Sequence, residues 1–246
     1  MKRTNKSLLQ ILLIPAAIAL AVLFSAAIQG CGNDNPTQPT ASNTGTMGFS
    51  SYSDGNTQGN NPQSTLVIYE AKVMINDLKI HPDGDDNEEH GENIKVGPFV
   101  IDLNLDSKVT LVTNSMIPPG NYRKVKFEIH KLQPNDPVPD PEFSDANGRY
   151  SVIVKGSFNG VDFMYKSQIT ANQKVYLQKV LAVSPVATSN ITFYANPFMW
   201  FYDENGNLLD PALAINRVKI DDNIRDNLKN HIRIFVDCDH DGHPDN

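Results

Sequence analysis

Between Thr65 and Ala195 the chain is punctuated by Gly, Pro, Asn and Asp every 8 to 12 residues, and the runs between them are β-branched or aromatic. This spacing constrains the fold most, because such short runs leave no room for helices or for βαβ units. In the run from Tyr122 to Leu132, Val125, Phe127 and Ile129 alternate with Lys124, Lys126 and Glu128, so one face is dry and the other wet. Val67, Tyr69, Ala71, Val73 and Ile75 form a second alternating set, and the phase shifts at Asn76-Asp77 before Leu78 and Ile80, as at a bulge or bend. Further strands are expected at 99–103, 108–112, 150–156, 161–169, 174–181 and 190–195. Phe158-Asn159-Gly160 reads as a hairpin, since Asn-Gly accepts the positive φ angles of a tight turn. The expected fold is mainly β, an antiparallel β-sandwich of the immunoglobulin or transthyretin kind, over residues 65–219.

One later segment has a different period. Ile220, Ile224, Leu228, Ile232 and Phe235 recur at spacings of four and three, with Asp221 or Asp222 at the start and Lys229, His231 and Arg233 near the end. That pattern predicts an amphipathic helix packed on the sandwich. The competing reading is a short helix to Asn230 followed by a strand from Ile232 to Val236.

The first 30 residues read as a leader. Lys2, Arg3 and Lys6 precede an apolar run from Leu8 to Ile28 that holds Pro15, and small residues follow. Ile28-Gln29-Gly30-Cys31 resembles the lipobox of bacterial lipoproteins, which implies a lipid anchor on Cys31, cleavage before it, and a place in the cell envelope at the outer membrane. Gln29 departs from the small residue usual at its place. Acylation of Cys31 leaves Cys238 without an intramolecular partner, so no disulfide is expected to staple the mature chain. Residues 31–64 are rich in Asn, Thr, Gln, Ser, Gly and Pro, with Met47, Phe49 and Tyr52 as the main large apolar groups, and are expected to be a disordered tether.

Three of the 21 basic residues and none of the 28 acidic ones lie in the leader, so its removal takes the net charge from −7 to −10. A balance that acidic excludes a nucleic-acid partner, which needs a basic surface.

Val73 to Pro82, the acidic loop after it, Phe99 to Leu103, and Ile117-Pro118-Pro119-Gly120-Asn121-Tyr122 stand in an order that resembles the uncharacterised lipoprotein domain family DUF4382. A second stretch, Asn196-Pro197-Phe198-Met199-Trp200-Phe201 with Leu209-Asp210-Pro211, looks like the C-terminal half of similar lipoproteins. The resemblance implies a β-sandwich and an envelope address. It carries no catalytic residues.

The sharpest chemical motif is Asp237-Cys238-Asp239-His240-Asp241-Gly242-His243-Pro244-Asp245. Oxygens at relative places one, three, five and nine, glycine at six and a carbonyl at seven follow the start of a calcium loop, so Asp237, Asp239, Asp241, His243 and Asp245 are the candidate ligands, with the 220–235 helix leading in. Pro244 replaces the usual aliphatic residue, and the bidentate glutamate of place twelve is missing from the pattern. It resembles DxDxDGxxD units of extracellular repeats, with an expected affinity of about 10⁻⁴ to 10⁻³ M. The competing reading is a solvated acidic tail. Cys238, His240 and His243 invite a zinc or copper site, but alternation would turn Cys238 and His240 away from the aspartates. His81 to His90 is a second acidic loop, read as a solvated connection.

No GxSxG, HExxH or phosphate-loop motif is present, so no enzyme is expected. Trp200 is a candidate ligand surface for stacking a glycan, against the alternative of core packing. The functional expectation is a membrane-tethered binding or adhesion module for a protein or glycan ligand, with a structural calcium ion. A structural or assembly lipoprotein comes second and a hydrolase third.

Overall fold

The computed structural model describes residues 44–53, 65–84, 94–103 and 105–246. The strands are β1 (Gly45–Tyr52), β2 (Leu66–Ile75), β3 (Asp77–Pro82), β4 (Ile94–Val96), β5 (Phe99–Asp102), β6 (Thr110–Ile117), β7 (Gly120–Ile129), β8 (Ser144–Asp145), β9 (Gly148–Arg149), β10 (Val152–Phe158), β11 (Val161–Ser167), β12 (Ala171–Val183), β13 (Ser189–Tyr194) and β14 (Arg233–Val236). They form three four-stranded sheets, ordered β14-β13-β1-β6, β11-β10-β2-β5 and β12-β7-β3-β4, and the small pair β8-β9. The fold is mainly β and largely antiparallel, as the alternation requires. Among the described pairs, β1 with β13 is parallel.

The phase shift at Asn76 is where one strand leaves one sheet for another. β2 pairs with β10 and β5, and β3 with β7 and β4. The Asn76 amide donates to the Glu128 carbonyl at 2.9 Å, and its Oδ1 accepts from the His130 amide at 2.8 Å, so the corner is held by hydrogen bonds to β7 and the residue after it. At Asn159-Gly160 both residues have positive φ (52° and 80°), and Phe158 pairs with Val161 across the turn, the hairpin that Asn-Gly favours. Apolar residues of all three sheets and of the helix meet in one core, in which Phe127, Phe193 and Trp200 are buried.

The tether expectation is corrected for residues 45–52. They are β1, an interior strand between β13 and β6, and Met47 and Phe49 are fully buried. The composition misleads because the small residues serve close approach rather than disorder. A Cβ on Gly45 would lie 2.6 Å from the Ser184 carbonyl oxygen, and one on Gly48 would lie 2.7 Å from Asn190 Oδ1. The serines are hydrogen-bonded as well as buried: Ser50 Oγ donates to Asn190 Oδ1 at 3.0 Å and Ser51 Oγ to the Asp102 carbonyl at 2.5 Å. The remaining tether residues, 31–43 and 54–64, lie outside the described residues, as do the leader, Cys31 and most of the second acidic loop.

The long helix is corrected too, in favour of helix then strand. Helix α1 (Arg217–Asp226) buries Ile220 and Ile224, continues as a π-helical turn over Asn227–His231, and gives way to β14. The Ile232 amide closes the turn on the Asn227 carbonyl at 2.9 Å. Ile234, Phe235 and Val236 are all buried, so this β-branched and aromatic run is better placed between faces than along one helical stripe. Residues 220–246 therefore do not form an appendage to the sandwich, because β14 is the edge strand beside β13 in the β1 sheet.

Away from the main core, Lys72 bridges Glu70, Asp140 and Glu142 at 2.5, 2.9 and 2.9 Å, and Lys155 bridges Glu70 and Glu142 at 2.7 and 2.6 Å. Hydrogen bonds from Lys155 and Lys72 hold the Glu142 carboxyl down at about 2.

Candidate metal centre

The Asp-rich segment leaves the end of β14, where the Asp237 amide donates to the Asn190 carbonyl at 3.2 Å. It then folds back until the Asp245 amide reaches the Val236 carbonyl at 2.9 Å, closing the loop. Two residues with positive φ, His240 (59°) and Gly242 (84°), make the reversal. Gly242 is buried against β1 and the approach to β6. A Cβ there would lie 3.1 Å from the Tyr52 ring and 3.3 Å from Val109 Cγ2, so lack of a side chain and left-handed backbone are both required. The incoming element is a strand rather than the expected helix, which fixes Asp237 to the sheet.

Asp237 is fully buried. Its Oδ2 accepts from Thr192 Oγ1 at 2.7 Å and from the Gly242 amide at 3.3 Å, and its Oδ1 accepts from the Asp241 amide at 3.0 Å. Below it Asn190 Nδ2 donates to the Asp237 carbonyl at 2.8 Å, and Asn190 Oδ1 accepts from Ser50. A polar chain thus runs from the interior strand β1 through β13 to the loop. Burial pushes the Asp237 carboxyl above the usual carboxylate range, and the three donors offset this only in part.

Carboxylate oxygens of Asp237, Asp239 and Asp245 lie within 4.8 Å of one another, and this cluster could hold a metal ion. Three carboxylates so close repel when ionised, and a cation placed among them converts repulsion into attraction. Asp245 Oδ2 also accepts from the Cys238 amide at 3.2 Å. The sites the sequence grouped are therefore divided: places one, three and nine come together, whereas Asp241 and His243 are not in the cluster. Asp241 Oδ1 instead accepts from the His243 amide at 2.7 Å, a local turn that occupies the oxygen expected at place five.

Oxygen donors alone, in a loop exposed at Asp239 and half-buried at Asp245, suit a hard cation that keeps part of its water. The zinc or copper arrangement is not assembled: His240 and His243 are exposed, and Cys238 is disulfide-bonded. That bond corrects the expectation that no disulfide would staple the chain, and its partner lies outside the described residues. Sequence reading missed the support under the cluster, Ser50, Asn190 and Thr192. The signal was there as Asn190 and Thr192 alternating with Ile191 and Phe193, but such a polar face reads as solvated until a loop covers it.

Trp200 does not form a ligand surface. It is fully buried in the core, in a 3₁₀ turn over Pro197–Phe201, and its carbonyl accepts from Asn223 Nδ2 at 3.0 Å, which ties the turn to α1. The dense apolar run around it, with Phe198 and Phe201 also buried, is what draws it inside.

In comparisons with known proteins, no family model, no curated protein and no solved structure matches the chain, so the likeness to DUF4382 rests on the residues quoted for it.

Proposed function

We propose that this chain is a non-catalytic binding module of the cell envelope whose C-terminal loop takes a structural calcium ion. The observation that carries the calcium reading is the convergence of Asp237, buried and hydrogen-bonded to the sheet, with Asp239 and Asp245. Calcium would neutralise the cluster and fasten the loop to β13 and, through Asn190 and Ser50, to β1. Three carboxylates with solvent and carbonyl oxygens suit a Kd of about 10⁻⁴ to 10⁻³ M, which extracellular calcium can occupy. Isothermal titration calorimetry tests it. One calcium ion should bind per chain in the millimolar range or tighter, and Asp237→Asn should weaken binding at least about tenfold. Absence of calcium heat at about 10 mM refutes the reading.

The address rests on the basic, apolar and lipobox-like segments that end at Cys31. An acylated Cys31 would leave 13 residues before β1 starts at Gly45, a reach of at most about 45 Å, so an anchored sandwich would work close to the bilayer. A second reading is favoured by the disulfide at Cys238: a secreted protein whose leader is removed without acylation, leaving Cys31, the chain's other cysteine, able to pair. A thioether and a disulfide cannot share one sulfur. Intact mass under non-reducing conditions separates the two, since acylation adds a diacylglyceryl mass that detergent extraction retains.

A further inference from the structure

Strand register sets four lysines in line across one sheet. In the sheet β12-β7-β3-β4, Lys174 pairs with Lys126, Lys126 with Lys79, and Lys79 with Lys95. Directly paired residues point to the same face, and neighbouring strands lie about 4.8 Å apart, so the row crosses all four strands over about 14 Å. The alternate residues Leu78, Ile80, Val125 and Phe127 are buried in the core, which puts the lysines on the outer face. Two residues along each strand, the next row on that face is Tyr176, Lys124 and His81.

Like charges directly opposite one another destabilise a sheet, and here three such pairs adjoin. The acids at paired positions of this face are Asp77 and Glu128, which oppose each other in the row on the other side. Asp77 Oδ2 lies 3.3 Å from Lys79 Nζ and 3.2 Å from Lys95 Nζ, so one carboxylate answers two lysines. Lys124, 4 % exposed, has no ion pair among the described residues, and its charge adds to the field of the row without needing a contact. Five lysines thus stand with two carboxylates, a local positive surplus on a chain whose formal net charge is −7.

A straight row on a sheet face offers its charges close to one plane, which suits a planar array of anions better than a single small one. Lys95 and Lys174 are exposed, and Lys79 and Lys126 are half-buried. The chain enters the sandwich at Gly45, packed against the Ser184 carbonyl just past β12, the strand that bears Lys174. A segment leading from a membrane therefore arrives at this sheet.

We propose that the lysine row is a docking surface for an anionic lipid bilayer, whose headgroup phosphates meet Lys174, Lys126, Lys79 and Lys95. The inference rests on the cell-envelope reading and gives the sandwich an orientation on the membrane. It depends neither on calcium nor on acylation of Cys31.

The test is co-sedimentation of the mature chain, carrying Cys31→Ser so that no lipid is attached, with vesicles in chelator. One set is phosphatidylcholine alone and the other holds about 30 mol % phosphatidylglycerol. The parent should partition at least about tenfold better into the anionic vesicles at about 0.1 M salt, and about 0.5 M salt should remove the difference. Lys95→Gln with Lys174→Gln, both exposed, should lower anionic partitioning about tenfold or more, since each lysine near such a surface contributes about fivefold. Lys108→Gln with Lys229→Gln, the same change of charge outside this sheet, should lower it less than about threefold. Because the first pair relieves opposed like charges, it should melt no lower than the parent, which separates lost docking from lost folding. Equal partitioning of the parent into both vesicles, or equal loss in the two double variants, overturns the proposal. Lysine-dependent binding to heparin without binding to vesicles overturns it in favour of a linear polyanion. Vesicle binding that appears only after Asp85, Asp86, Glu88 and Glu89 are changed to amides overturns it in favour of a counter-charge from the chain itself. The calcium reading and the address are measured separately, by calorimetry and intact mass, and stand or fall apart from these outcomes.

Discussion

Replacing Phe49 by alanine should destabilise the whole fold, although Phe49 belongs to a stretch whose composition suggests a tether. The ring is fully buried, lies 6.0 Å from the Phe99 ring centroid at a tilt of 42°, and sits on an interior strand hydrogen-bonded on both sides. Truncating a buried phenylalanine costs about 3 to 5 kcal/mol, the sum of lost transfer energy and of the cavity left behind. For a folded body of this size each kcal/mol lowers Tm by about 2 to 4 °C, so about 4 kcal/mol corresponds to a drop of about 8 to 16 °C. Differential scanning calorimetry measures it directly, and a urea titration should show a lower midpoint with an unchanged slope. Phe49→Leu, which keeps most of the volume, should lose less than half as much. A Tm for Phe49→Ala within about 1 °C of the parent would mean that β1 is not part of the cooperative fold, and the account of the tether's composition would fail.

The ion-pair cluster on β2 and β10 gives a pH-dependent stability. Because Lys155 and Lys72 hold Glu142 at about 2 in the fold, against 4.5 for the free side chain, its stabilisation is present above pH 4.5 and is lost as pH falls through about 2. The side chain is 36 % exposed, so after discounting for solvent Glu142→Gln should cost about 1 kcal/mol at pH 7; urea midpoints of parent and variant should converge below pH 4.5. Gly242→Ala puts a Cβ at φ 84° and 3.1 Å from the Tyr52 ring, and should cost about 1 to 2 kcal/mol in thermal denaturation while also weakening calcium. Trp200→Ala should lower stability by about 3 to 5 kcal/mol, and a variant that melts like the parent would contradict its place in the core.

The longer strands between Thr65 and Ala195 were legible from their β-branched and apolar runs, and the Asn-Gly hairpin because its backbone demand is specific to those residues, whereas the two- and three-residue strands β4, β8 and β9 are too short to carry a pattern. β1 was not legible, since an interior strand packed closely between neighbours uses Gly and Ser where an exposed linker also would. Ile232 to Val236 satisfied two periods at once; local spacing continued the helix, whereas burial on both faces of β14 favoured the strand. At the candidate metal centre the aspartates were visible, but not their sorting. The buried seat built by Asn190, Thr192 and Ser50 depends on strands more than 40 residues away in the chain, and the short turn of Asp241 on the His243 amide competes with a ligand role that the spacing alone suggests. Trp200 was ambiguous for a plain reason: an aromatic cluster has the same sequence whether it faces solvent or core.

The most direct test of the calcium clasp is the melting temperature in calcium against that in excess chelator, with Asp239→Asn, an exposed member of the cluster, as control. At ten times Kd the ion should add about 1.4 kcal/mol, RT ln(1 + [Ca]/Kd), a rise of about 3 to 6 °C in the parent and close to none in the variant. A Tm that is the same in calcium and in chelator would contradict the assignment of the Asp237, Asp239 and Asp245 cluster as a structural cation site.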